Sequence, residues 1–306
     1  MKFISAERVA ELAPYGDLVE ALRKGFASEI VTPVRHQHDL SPVSILLLMP
    51  AWSKAFTGLK TVVAKFDNAA KGLPTITASY LLIDNDTGAT VAMLDGTELT
   101  RRRTAAASAL AASYLARPDS ETLLIVGAGA LAPHFARAHA AVRPIKRVLA
   151  YNRSLKKAAT LASELAKDGF AASPVDNLEA AVREADIVSC VTSSTAAIVK
   201  GTWLRPGTHV DLAGAFKPNM REVDGETVAR ARVFVDTREG AIAEAGDLIQ
   251  AEAEGCFSMD KIEGDLFDLC RGRVKGRETA KEITLFKSCG TAIEDLAAAE
   301  LVYLRS

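Results

Sequence analysis

Two short stretches of the sequence carry residue types and spacings that can do chemistry. The first is Val126-Gly127-Ala128-Gly129-Ala130-Leu131-Ala132, a GxGxxA pattern directly after the apolar run Thr122–Val126. Glycine at the first position permits a tight turn. Glycine at the third lets the backbone approach a pyrophosphate, and the alanine lets a helix pack closely on its strand. The helix opened by such a turn presents free N–H groups and a partial positive charge to an anion. Gly127, Ala128, Gly129, Ala130 and Leu131 are therefore candidate dinucleotide contacts. The plainer alternative is a glycine-rich turn in some other α/β protein, and the strand before and the helix after favour the dinucleotide.

The second stretch, Arg147–Ser154, reads RVLAYNRS. An NAD-binding fold normally ends its second strand, about 20 residues beyond the glycines, in an acid that holds the ribose hydroxyls. Here the positions hold Asn152, Arg153 and Ser154. A carboxylate would repel a 2′-phosphate, whereas Arg153 can bind one through charge-assisted hydrogen bonds, and Asn152 and Ser154 add neutral donors. The stretch predicts NADP(H) as the preferred cofactor, with NAD(H) also possible. The alternative is a surface arginine beside a helix cap at Ser154.

These residues need elements to position them. From residue 122 onward, apolar runs and helical segments alternate: TLLIVGAG, a helix over 131–142, KRVLAY, a helix over 155–167, AASPV, a short helix over 177–184, then DIVSCV, THVDLAG and RVFVD. Such alternation predicts a doubly wound parallel sheet of Rossmann type. Ahead of it, residues 5–29 read as two short helices broken at Pro14, the first capped by Ser5. Strand-like runs cover 59–66, 75–84 and 89–96, the last two joined by a hairpin turn at Gly88. LTRRRTAAASALAASYLA is rich in helix formers and ends at Pro118. The final strand, turn and helix, EITLFKSCGTAIEDLAAAELVYL, either extend the parallel sheet or return to the first domain. The fold class expected is α/β: a Rossmann domain plus a second, α/β domain.

Composition narrows the function classes. The 306 residues, 49% of them hydrophobic and 25% charged, suffice for two domains with sizeable cores. A net charge of −1 gives no general attraction to nucleic acid or anionic membrane. No apolar stretch reaches the ~18 residues that span a bilayer. MKFISAERVAELA lacks the apolar core of a secretory signal. Cys190, Cys256, Cys270 and Cys289 are scattered and the five histidines show no metal-ligand spacing, so reduced thiols in a cytoplasmic setting and no metal site are expected.

Several longer stretches resemble the ornithine cyclodeaminase/mu-crystallin family: PVRH with LLMPAW, GLKTVV followed by DN and KGLP, TGATVAMLDGTELTRRRTAAASALAASYLA, VGAGALA, GTHVDLAGAFKPNMREVD and FKSCGTAIEDLAAAELVY. They run in order from about residue 33 to the C-terminus. The resemblance implies that Arg35, Lys60 and Arg103 grip a substrate α-carboxylate. The chemistry agrees, since arginine offers paired N–H donors and lysine a point charge. Arg101 and Arg102 then face solvent or the cofactor phosphates. The resemblance also implies a substrate-binding and dimerisation domain of residues 1–118 with 283–306, and a dinucleotide domain of 119–282. It places Lys287, Ser288 and Gly290 near the nicotinamide or the domain junction, Thr192 near the adenosine half, and the chain in a homodimer. The strand near residues 59–66 is expected at a sheet edge that needs covering.

The sequence departs from the cyclodeaminase pattern twice. Gly214-Ala215-Phe216 stands where those enzymes carry an aspartate third, and Leu47 where they carry a glutamate. Deamination needs a positioned acid or base, which Phe216 and Leu47 cannot supply. A cyclic imino acid needs only the carboxylate grip and an apolar lining such as Phe216. The expected activity is therefore ketimine reduction, of Δ1-pyrroline-2-carboxylate or Δ1-piperideine-2-carboxylate, with Lys60 and Arg103 at the reacting substrate. Two other readings stay open. An ornithine cyclodeaminase or amino-acid dehydrogenase would need Asp67, Glu222 or Asp295 to replace the missing acids. A non-catalytic NADPH- or small-molecule-binding protein would not need three carboxylate-facing cations.

Overall fold

The alternation of buried and half-buried side chains along residues 56–65 and 90–95 sets up the middle of the first sheet. The computed structural model describes residues 1–306, apart from residue 69. In chain order it begins β1 (Lys2–Ile4), α1 (Ala6–Leu12), α2 (Tyr15–Ala27), β2 (His36–Ser41), β3 (Ser44–Trp52), β4 (Phe56–Lys65), β5 (Ile76–Asp84), β6 (Thr90–Asp95) and α3 (Gly96–Leu115). The six strands form one sheet in the order β1-β6-β5-β4-β3-β2, antiparallel except for β1 beside β6. Ser5 accepts from the Arg8 N–H at 3.4 Å and caps α1, and Pro14 separates α1 from α2. Gly88, with φ of 70°, turns the β5–β6 hairpin.

Two features of this sheet differ from the sequence reading. SILLLMPAW forms β3, and the polar, exposed HQHDLS forms β2. Neither alternates cleanly between apolar and polar, so periodicity does not reveal them. As a consequence β4 lies between β3 and β5 and is not an edge; β1 and β2 are the edges.

The chain continues with β7 (Thr122–Val126), α4 (Ala132–Ala140), β8 (Arg147–Tyr151), α5 (Leu155–Lys167), β9 (Ala171–Val175), α6 (Leu178–Glu184), β10 (Ile187–Cys190), β11 (His209–Leu212), α7 (Gly225–Ala229), β12 (Ala231–Val235), α8 (Arg238–Glu244), α9 (Gly246–Ala253), β13 (Ile262–Asp265), α10 (Leu266–Cys270), β14 (Ile283–Lys287) and α11 (Ala292–Leu304). Eight strands form a wholly parallel sheet in the order β13-β12-β14-β11-β10-β7-β8-β9. Every residue of β10, β11 and β14 is buried, as expected when helices cover both faces. The connectivity reverses between β7 and β10, the place where ligands bind in open α/β sheets.

The chain divides into one compact unit of Met1–Thr104 with Thr291–Ser306 and another of Ala105–Gly290. These limits differ from the expected 118/119 and 282/283. β14 is hydrogen-bonded between β11 and β12, so it stays with the parallel sheet. Only the segment from Thr291, carrying α11, returns to the first unit, where α11 lies against α2 and strands β3, β4 and β5.

Candidate active site

In the first unit the candidate cations are set by strand register. Lys60 of β4 pairs with Met49 of β3 on one side and Tyr80 of β5 on the other. Arg35 immediately precedes β2, whose His36 pairs with Leu48, so Arg35 falls on the side of the sheet that Met49 and Lys60 share. Leu47 pairs with Val62 and therefore also lies on the Lys60 side. α11 covers this face and brings two acids to it. Asp295 Oδ1 accepts from Lys60 Nζ at 2.9 Å and from Arg103 Nε at 2.9 Å, and its Oδ2 is 2.7 Å from Lys60 Nζ. Glu294 accepts from Arg103 Nη1 at 2.5 Å.

All four of these side chains are buried. Burial, then Arg103, pushes the Lys60 pKa down to about 8 against the support of Asp295, and the charge of Arg35 acts in the same lowering direction. Burial also pulls on Arg103, but Asp295 and Glu294 more than offset it and leave its pKa raised. Tyr80, whose hydroxyl is buried, is raised well above its ordinary value by burial and by the charges of Asp295 and Glu300. Arg101 and Arg102 take no part in this cluster. Both pair with Glu98, and the Arg102 guanidinium lies over the Tyr15 ring.

In the second unit the turn after β7 has the features of a dinucleotide cradle. Gly127 adopts φ of 114°, and a Cβ there would fall 2.9 Å from the Val191 carbonyl oxygen. Nothing lies within 4 Å of the position a Cβ would take at Gly129, so the backbone there is open to a pyrophosphate. α4 follows with buried Ala132 at its start. These residues fit a dinucleotide. Asn152 and the exposed Arg153 follow β8, and Asn152 Nδ2 donates to the Ser154 carbonyl at 3.2 Å. Ser154 occupies the N-cap position of α5 without a side-chain cap bond.

Thr192 follows β10, on the opposite side of β7 from β8, and its methyl lies where a side chain at Gly127 would go. That places Thr192 against the Gly127 turn. Lys287 is fully buried, and its ammonium lies 3.1 Å from Asp247 Oδ2. Burial opposes its charge, but Asp247 leads the groups that leave its pKa raised. The Ser288 hydroxyl and the Gly290 N–H both donate to Asp236 Oδ2, at 3.2 and 2.6 Å. Phe216 follows β11 and is 39% exposed.

The three acids that could replace the missing deaminase carboxylates are all engaged. Asp67 pairs with Lys65 and Lys71, Asp295 with Lys60 and Arg103, and Glu222 accepts from Thr192, Gly214 and Ala215. The sequence reading missed Glu294 as a partner of Arg103. The signal was present: adjacent acids inside the apolar helix AIEDLAAAELVYL must be paired if buried. Asp247 and Asp236 gave no comparable sign. Among the described residues no group of acids, histidines and cysteines forms a metal site, and all four cysteines are free thiols.

Comparison with known proteins adds four observations. The model of the ornithine cyclodeaminase/mu-crystallin family matches residues 2–306. A Delta(1)-pyrroline-2-carboxylate reductase of Paracoccus denitrificans is 41% identical, covering 98% of this chain and 96% of its own. Among solved structures, the Delta(1)-pyrroline-2-carboxylate reductase of Thermococcus litoralis, in complex with NADH and L-proline, superposes with a TM-score of 0.95 at 36% identity, covering 100% of this chain and 97% of that one. An archaeal alanine dehydrogenase dimer with bound NAD superposes with a TM-score of 0.93 at 32% identity, covering 99% and 95%.

Proposed function

The chain belongs to the ornithine cyclodeaminase/mu-crystallin family, and on that footing we propose that it is an NAD(P)H-dependent ketimine reductase. Its substrate is a cyclic imino acid, Δ1-pyrroline-2-carboxylate or Δ1-piperideine-2-carboxylate, reduced to proline or pipecolate. The observation that carries this reading is the pairing at the site: cations suited to a carboxylate, with Asp295 and Glu294 both engaged by them. An ammonium group at the ornithine side-chain position would need a charge partner that Leu47 and Phe216 do not provide.

Arg35, Lys60 and Arg103 hold the substrate carboxylate and so fix the imine carbon, since a charged two-atom grip restricts both position and rotation. Asp295 and Glu294 hold Lys60 and Arg103 in place from behind. Leu47, on the Lys60 side of its sheet, lines the ring. When bound, NAD(P)H would be the source of the hydride that the imine carbon takes up. The ring nitrogen carries its proton already or takes it from water. Gly127–Leu131 hold the pyrophosphate of the dinucleotide. Arg153, with Asn152 and Ser154, makes NADP(H) the preferred cofactor, because no carboxylate there repels a 2′-phosphate. The relative from Thermococcus litoralis holds NADH, so both cofactors belong in the test.

The experiment is steady-state kinetics with NADH and NADPH on pyrroline-2-carboxylate and piperideine-2-carboxylate, beside ammonia release from ornithine. Imine reduction without ammonia release is expected. Arg153→Ala is expected to weaken NADPH by about tenfold or more and NADH little, a loss typical of a charge-assisted contact. Ammonia release without imine reduction would overturn the reading.

We further propose a homodimer formed through the sheet face that α11 does not cover. Leu46, Leu48, Leu59, Val63, Leu81 and Met93 point to that side and are only partly buried. The alanine dehydrogenase relative, described as a dimer, supports a second copy as the occupant.

A further inference from the structure

The segments that follow β10 and β11 border the place where the connectivity reverses, and backbone bonds tie them together farther along, Arg221 N–H to the Ser194 carbonyl and Ile198 N–H to the Glu222 carbonyl, both at 2.8 Å, with a bridge between Val199 and Val223. Beside the strand ends one side chain adds a further tie. Glu222 Oε1 accepts from the Thr192 N–H at 2.7 Å and from the Thr192 hydroxyl at 2.9 Å. Its Oε2 accepts from the N–H groups of Gly214 and Ala215 at 2.8 and 3.2 Å. The fit is tight. A Cβ at Gly214 would fall 2.0 Å from the Thr192 carbonyl oxygen and 2.4 Å from Glu222 Oε1. Thr192 in turn lies against Gly127, so the stack runs from the glutamate to the phosphate turn.

Glu222 is itself held from below. Asp247 Oδ1 accepts from the Glu222 and Val223 N–H groups at 2.7 and 3.0 Å, and Asp247 Oδ2 pairs with Lys287. All three ionisable side chains are buried. We propose that Glu222, supported by Asp247 and Lys287, is the positioning residue that aligns the Thr192 loop and the Gly214–Phe216 loop with the Gly127 turn, and that its ionised form is required for tight dinucleotide binding. This rests on the reading of Gly127–Leu131 as the dinucleotide cradle.

The carboxylate uses both oxygens as acceptors. A proton on either one replaces an acceptor with an O–H donor that faces N–H donors, and the bonds to Thr192 or to Gly214 and Ala215 weaken on that side. The charged and titratable groups that act on it are Asp247 on α9, Lys287 at the end of β14 and Cys190 on β10; Asp211 on β11 acts on Cys190, and Cys289 after β14 on Lys287. Burial leads in pushing the Glu222 pKa up to about 7, with Asp247 adding to it and Lys287 and Thr192 opposing. A carboxyl raised in the folded state favours its protonated form there. The stability it contributes is present at low pH and is lost as pH rises through about 7. Lowering the pH therefore raises this contribution to stability while it loosens the loops. A merely structural residue would move stability and affinity together.

The test is the dissociation constant of NADH, read by its fluorescence, from pH 8.5 to pH 6. NADH has no 2′-phosphate to titrate in this range. Affinity is expected to fall about five- to tenfold by pH 6, as a group with a pKa of about 7 loses most of its charge and with it a hydrogen bond to a charged group. Glu222→Gln keeps one acceptor but turns an amide N–H toward the Thr192 or the Gly214 and Ala215 donors. It is expected to bind NADH weakly at pH 8.5 and to show no such pH limb. If that variant does not fold, the wild-type profile decides. NADH binding that is flat across the range, or a folded Glu222→Gln protein with wild-type affinity, overturns the inference alone. No binding of NADH or NADPH at pH 8.5 overturns the dinucleotide reading and the inference with it.

Discussion

The lysine at the centre of the first unit is held between opposing demands. Lys60 is buried beside Arg103, which disfavours its charge, and beside Asp295, which supports it. With its pKa near 8, it carries a full charge at pH 7 and loses it above pH 8. The inhibition constant of pyrrole-2-carboxylate, whose ring nitrogen does not titrate in this range, is therefore expected to weaken by about tenfold between pH 7 and pH 9.5. Lys60→Arg should bind less well at pH 7 but lose that alkaline limb, since arginine stays charged. A lysine pKa depressed in the folded state gives a stability contribution that is lost as pH falls through about 8 and recovered as pH rises. Weaker binding at high pH would thus not reflect unfolding caused by this group. A constant that stays flat to pH 9.5 would remove Lys60 from the carboxylate grip.

At the scale of elements, the packing of α11 on β4 and β5 decides whether the cations meet their acids. Gly58 is two residues before Lys60 on β4, and a Cβ there would fall 1.8 Å from the Tyr80 hydroxyl and 3.1 Å from Leu296 of α11. Tyr80 is fully buried across from Lys60 and has no room to turn aside. Gly58→Ala is expected to destabilise the protein by about 1–3 kcal/mol, the usual cost of overpacking a filled core. Because α11 carries Asp295, the same change should raise the KM for the imine. Denaturant unfolding and imine kinetics on one preparation check both effects. An alanine variant with wild-type stability would mean that β4 and α11 adjust freely, and that the cation–acid pairing is not fixed by their contact.

At the scale of the whole molecule, the half-buried apolar sheet face bears on assembly. Exposed apolar patches of this kind mark association surfaces. Leu59→Arg puts a charge at its middle strand, and sedimentation should show a shift from dimer to monomer; an unchanged dimer would place the interface elsewhere. Legibility in the sequence followed the range of the forces involved. The parallel sheet, the Gly127 turn and the helix after it were readable because apolar runs and glycine spacing act over a few residues. Family resemblance singled out Arg35, Lys60 and Arg103, and the structure brings Lys60 and Arg103 together on Asp295. The sequence could not reveal that β14 belongs between β11 and β12, or that β2 and β3 move β4 off the edge, since strand order is set by pairing between distant segments. It also could not reveal that Asp295 sits on Lys60 and Arg103, or that Glu222 joins two loops. By itself the sequence determined which chemical groups the protein owns and where local turns and helices begin. Only the tertiary structure decided which buried charges are paired, because a charge removed from water must find its partner wherever the packed chain brings one.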